Sequence, residues 1–130
     1  MSDDNKTLTV TITRTATAEG GYTYGFAGEG KGSVDASSGQ IDFAGKDKDK
    51  YAITFVIGSP FDSTIEDVGF DDPPVTFTVP SGLFSQISVD PGNQQASVTD
   101  DNSKDEVQGY EYTLFFSDTT QLDPRIINRN

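Results

Sequence analysis

A chain of 130 residues with no cysteine, no histidine and a net charge of −12 excludes several classes of protein at once. Nine Lys and Arg against 21 Asp and Glu supply no basic stripe to displace counterions from nucleic acid, and nothing to hold an anionic membrane surface. Without Cys or His there is no disulfide framework, no thiolate or imidazole metal site and no histidine-based triad, so any chemistry must come from Asp, Glu, Lys, Tyr, Ser or Thr.

The length suits one domain, residues 1–130, with a single core. The hydrophobic share is only 33%, but nine Phe and five Tyr compensate. Each buried aromatic removes about 150–250 Å² from water. Residues 1–6 are polar and acidic and are expected to be disordered. They lack the basic segment and apolar run of a signal peptide, and no stretch approaches the ~20 apolar residues of a membrane span. The default expectation is a cytoplasmic protein that needs no cofactor.

Residues 7–17 read TLTVTITRTAT, an amphipathic strand in which Leu8, Val10 and Ile12 alternate with threonines. Glu19-Gly20-Gly21 is a turn, and Tyr22, Tyr24 and Phe26 then alternate with Thr23 and Gly25, which predicts a hairpin with one aromatic face. Residues 28–39 are rich in Gly, Ser and Asp and read as a loop. Gly28-Glu29-Gly30-Lys31-Gly32 lacks the spacing of a phosphate loop. Ile41 and Phe43 suggest a short strand, and residues 46–50 alternate in charge as a solvated turn.

Residues 51–57, YAITFVI, form the most apolar run and predict a central strand buried on both sides. A long loop follows over 59–74, with Phe61, Ile65, Val68 and Phe70 expected to tuck back onto the core. Residues 75–79 form a strand with Val75, Phe77 and Val79 on one face. Short strands at 87–89 and 96–99 flank a turn at Asp90-Pro91-Gly92-Asn93. The last long strand is 110–117, with Tyr110, Tyr112, Leu114 and Phe116 on one face and Glu111, Thr113 and Phe115 on the other. No segment has a helical period. The sum is an all-β fold, a single small β-sandwich of about seven or eight mostly antiparallel strands.

Three Asp-Pro bonds occur, at Asp72-Pro73, Asp90-Pro91 and Asp123-Pro124. The bond is chemically weak. The proline nitrogen is a good leaving group, and the aspartate side chain can close a five-membered anhydride on its own carbonyl. Proline has no N–H, so competing succinimide formation is blocked. Positioning alone can contribute about 7–11 kcal/mol to such an intramolecular step. The ordinary role of each Asp-Pro is a turn or the start of a strand. Five lysines lie at or before residue 50, and only Lys104 follows, just ahead of the strand that leads to Asp123. Lys104 is therefore the best-placed amine for an activated Asp123. Asp100, Asp101, Asn102, Asp105 and Glu106 form an acidic loop without the order or glycine of an EF-hand. Asp101 or Glu111 is placed to activate a water.

Residues 98–102 (VTDDN), 110–114 (YEYTL) and 122–128 (LDPRIIN) together resemble the small bacterial DP-EP family. The likeness is strongest over 96–130, and its specific part is the Asp-Pro-x-Ile-Ile-Asn ending. It implies a β-sandwich that cleaves its own C-terminal Asp-Pro bond and keeps the short piece in the sheet. It also implies that a lysine can become joined to the aspartate. Carried onto this chain, Asp123-Pro124 is the scissile bond, 124–130 is the internal substrate and Lys104 is the amine partner. Asp101, with Glu111 second, holds the hydrolytic water. The competing reading is a non-catalytic acidic sandwich of the binding or adhesion type, whose loops take calcium or a carbohydrate.

Overall fold

A computed structural model describes residues 7–30, 32–43, 51–77, 84–90, 92, 94–100 and 107–129. The expectations for Asp101, Lys104, the rest of the 101–106 loop, the N-terminal six residues and the 46–50 turn lie outside the described residues.

The described chain is all-β and folds into eleven strands: β1 (Thr7–Ala16), β2 (Tyr22–Gly30), β3 (Ser33–Val34), β4 (Ile41–Phe43), β5 (Tyr51–Phe61), β6 (Phe70–Phe77), β7 (Phe84–Val89), β8 (Gln95–Asp100), β9 (Val107–Phe116), β10 (Gln121–Leu122) and β11 (Arg125–Arg129). That is more than seven or eight, because segments read as loops contain short ladders. Residues 33–34 pair with 41–42, for example.

The strands form two mixed sheets. One has the order β2-β1-β5-β8-β7. The other runs β10-β9-β11-β4-β3, with β6 on the far edge of β9. Most pairings are antiparallel, but β1 pairs with β5 and β4 with β11 in parallel. Parallel neighbours need long connections. Here the chain leaves the first sheet after β2, builds β3 and β4 in the second, and returns as β5.

The period-2 pattern decides which side of each strand is buried. Leu8, Val10 and Ile12 of β1, Tyr51, Ile53 and Phe55 of β5, and Tyr110, Tyr112, Leu114 and Phe116 of β9 all enter one shared core. Side chains of the two sheets meet there, as where Phe55 lies against Tyr112 with ring centres 5.6 Å apart. The expectation that 51–57 is buried on both sides is corrected. Ala52 is exposed and Thr54 and Val56 are half-buried, because no layer of described residues covers that face. Of the long-loop residues, Val68 and Phe70 are buried, Phe61 is half-buried and Ile65 is exposed.

The end of the described chain occupies the middle of a sheet. β10 and β11 both lie along one edge of β9 in the same register: Gln121 faces Phe115, Leu122 faces Leu114, Arg125 faces Glu111 and Ile126 faces Tyr110. The other edge of β11 pairs with β4, setting Ile126 beside Ile41. Ile126 is fully buried, 0% exposed.

Truncating Ile126 to Ala should therefore cost about 2–5 kcal/mol of stability. The exposed Arg125→Ala change should stay within about 0.5 kcal/mol. Urea unfolding midpoints at constant m-value measure both.

Candidate functional site

The Asp123-Pro124 junction lies where β10 passes into β11. The common register of these two strands sets Asp123 opposite Thr113 and Pro124 opposite Tyr112. The junction is therefore not a turn. It is an extended crossing inside one strand edge, interrupted in the ladder because proline carries no N–H. The Tyr112 amide donates to the Pro124 carbonyl at 2.9 Å. Pro124 is buried, whereas Asp123 is exposed. The bond joins a solvent-facing acid to an inward-facing ring.

Thr113 holds the acid. Its hydroxyl donates to Asp123 Oδ1 at 2.7 Å, which leaves Oδ2 without a hydrogen-bond partner among the described residues. On the outward face, Glu111 and Thr113 of β9 stand beside Asp123 and Arg125 of the next strand. Glu111 faces Arg125 directly and is diagonal to Asp123, a separation of about 7–8 Å between backbones. Both Glu111 and Asp123 are exposed. Glu111 is thus the one water-activating candidate that the described residues bring to the bond.

Lys104 lies outside the described residues. The Val107 end of β9 faces Arg129, and Thr113, with Asp123 across from it, lies six residues further along β9, about 20 Å away at 3.3–3.4 Å per residue.

The other Asp-Pro bonds have different settings. Asp72-Pro73 is cis and exposed, at a register shift in β6. Pro91 of the third lies outside the described residues. No group of three or more acidic residues among the described residues is arranged to hold a metal ion. No helix among them is long and apolar enough to cross a membrane.

A second polar constellation fixes the hairpin turn that leads into the junction. Arg14 is completely buried. Its Nε donates to the Asp62 carbonyl at 2.7 Å, one terminal nitrogen donates to Tyr24 and Thr120, and the other pairs with Asp118. The guanidinium is sandwiched between the rings of Tyr22 and Phe61, 4.1 and 4.3 Å from their centres, a cation–π arrangement strengthened by exclusion of water. Asp118 also accepts from Ser63 and Thr120. Burial alone would raise the Asp118 pKa, but hydrogen bonds from Thr120, Ser63 and Arg14 outweigh it and hold it at about 2. Burial likewise opposes the Arg14 charge, yet bonding to Asp118 and Tyr24 raises its pKa.

Sequence reasoning passed over Arg14, Asp118 and Thr113. Arg14 was legible: it continues the Leu8, Val10, Ile12 alternation and so falls on the core side of β1. Asp118 and Thr113 carry no such signal, since a turn aspartate and an outward threonine are ordinary. No family's sequence profile matches the chain, and no curated protein matches it at a significant level.

Two outcomes follow from the cluster. Arg14→Met leaves Asp118 buried without its cation, and should cost about 3–5 kcal/mol in a urea melt. Asp118 is depressed from 3.8 to about 2 in the folded state, so its stabilisation is complete above about pH 4 and is lost as pH falls from 4 toward 2. Asp118→Asn should flatten that limb of a stability-versus-pH curve. A residual slope should remain from Asp35, which hydrogen bonds from the amides of Ser38 and Ser37 also lower to about 2.

Proposed function

We propose that this protein, a single β-sandwich domain over residues 1–130, cleaves its own Asp123-Pro124 peptide bond, the activity that its resemblance to the DP-EP family implies. The supporting observation is the split environment of that bond: an exposed carboxylate held at one oxygen by Thr113 at 2.7 Å, joined to a buried proline whose carbonyl is tied to Tyr112.

The chemistry balances without any external group except water. Asp123 Oδ2 attacks the carbonyl carbon of Asp123 and closes a five-membered anhydride. The C–N bond breaks, and the Pro124 nitrogen takes a proton and leaves as a secondary amine. Water then opens the anhydride, giving Asp123 two carboxyl groups. Thr113 fixes the attacking side chain, which lowers the entropy cost of ring closure. Glu111, diagonal on the outward face, is placed to pass the proton through a water to the leaving nitrogen and to take one from the hydrolytic water.

Intact mass under denaturing conditions tests this reading. The purified full chain, incubated for days, should yield species ending at Asp123 together with the peptide 124–130. Asp123→Ala should stay whole, and Glu111→Gln should slow the reaction about 10²-fold or more, the usual contribution of one acid–base group. A species one water lighter than the cut acid, absent in Lys104→Ala, would identify capture by Lys104 instead. A wild-type chain that remains whole throughout sinks the proposal.

A further inference from the structure

If the Asp123-Pro124 bond is cut, the second sheet consists, among the described residues, of two blocks joined by an untethered strand. β11 is the one element between β9 and β4. Removing it would expose two facing strand edges, a ready acceptor for an extended peptide. We infer that this channel is an exchangeable strand-binding site, and that its occupant is the 124–129 segment of this chain or of a second copy.

The channel's recognition chemistry can be read from its walls. The backbone edge of β9 offers an antiparallel ladder from residue 107 to 111, and β4 offers a parallel one from 41 to 43. Ile126 stands in register between Tyr110 and Ile41, all three buried. At the entrance, the Tyr112 amide donates to the Pro124 carbonyl, and Pro124 itself is buried. The ligand class is therefore an extended segment with proline first and a branched aliphatic residue two positions later. Charge is complementary as well: residues 124–130 carry two Arg and no acid, in a chain whose net charge is −12.

The boundary of the exchangeable piece is set on its other side. β10 follows a turn pinned by the buried Arg14–Asp118 pair, and the Thr119 and Phe116 amides close that turn onto Phe116 and Thr120. Leu122 and Asp123 stay with the body of the domain, and the mobile unit begins at Pro124. While the bond is intact, the strand competes from within at a high effective concentration and excludes any rival. Once the bond is cut, occupancy obeys ordinary mass action.

This inference rests on the cleavage reading for its biological trigger, but its test does not. A protease recognition sequence inserted after Asp123 in the full chain allows the nick to be made at will. The nicked chain should keep its own peptide through gel filtration at high concentration, and should take up fluorescein-labelled synthetic peptide 124–130 saturably, read by anisotropy. The unnicked chain should take up none. A labelled peptide carrying Ile126→Ala should bind about 30-fold more weakly or worse. The inference is overturned if the nicked chain unfolds, if it ignores the labelled peptide, if the unnicked chain binds it equally, or if the Ala peptide binds as well as the native one. Exchange in the nicked chain alongside a wild-type chain that never cuts itself would sustain the site and remove only the self-cleavage.

Discussion

One buried ion pair fixes the geometry of this fold at its most demanding point. Arg14 belongs to the first sheet and Asp118 to the turn after β9 in the second. The pair, with Ser63, Thr120, Tyr24 and the Asp62 carbonyl, welds both sheets and the connection after β5 at one end of the core. Such pairs add little net stability over a well-packed apolar substitute, because two charges must be desolvated. What this one supplies is position. Its partners are directional and engage all three guanidinium nitrogens, which ties the turn at 117–120 to β1 through Asp118 and Thr120. That turn sets the register of β10, and through it the location of Asp123 opposite Thr113.

From that register comes the division of labour across a single peptide bond. The outward side of the sheet carries the acids and their hydroxyl partner: Asp123, its Thr113 anchor and Glu111 on the diagonal. The inward side carries the groups that hold: Pro124, Ile126 and the aromatic wall of Tyr110 and Tyr112. Tyr112 extends the hold to the segment before β4, donating its phenol proton to the Gly39 carbonyl at 2.8 Å. Gly39 adopts a φ of +78° and packs so closely on Phe26 that a Cβ there would lie 2.7 Å from the ring. The aromatic residue that faces Pro124 is thus itself fixed by a glycine position that no other residue fills without strain.

How much of this could be read in the sequence depends on which residues speak through periodicity. Alternation in TLTVTITRTAT and YEYTLFF gave the strands, their buried faces and the all-β class. It also gave Glu111 its outward face. Pairing across distance had no such voice. Nothing local says that β1 runs parallel to β5, or that the residues after Asp123 insert between β9 and β4. Short ladders such as 33–34 with 41–42 were hidden by loop-like composition. Lys104 was singled out by the lysine count and the idea that the chain turns back toward it. Residue 104 lies outside the described residues, and the register places Arg129 opposite Val107. The apolar run 51–57 suggested two buried faces, yet the described residues provide a partner layer on one side only.

Proline at position 124 has a consequence for the cost of breaking the strand. Every other residue of a strand gives a donor to the ladder, and severing the chain beside it disturbs that donor's alignment. At Pro124 there is none to disturb, so a break at the seam between Asp123 and Pro124 takes no N–H from the ladder. The new end would be less indifferent. A secondary ammonium would be created against a buried ring, where charge is poorly solvated, with the new α-carboxylate and the side-chain carboxylate of Asp123 as its nearest counter-ions. The seam would thus become a small electrostatic latch: attractive while the carboxylates are ionised, and loosened by salt or acid.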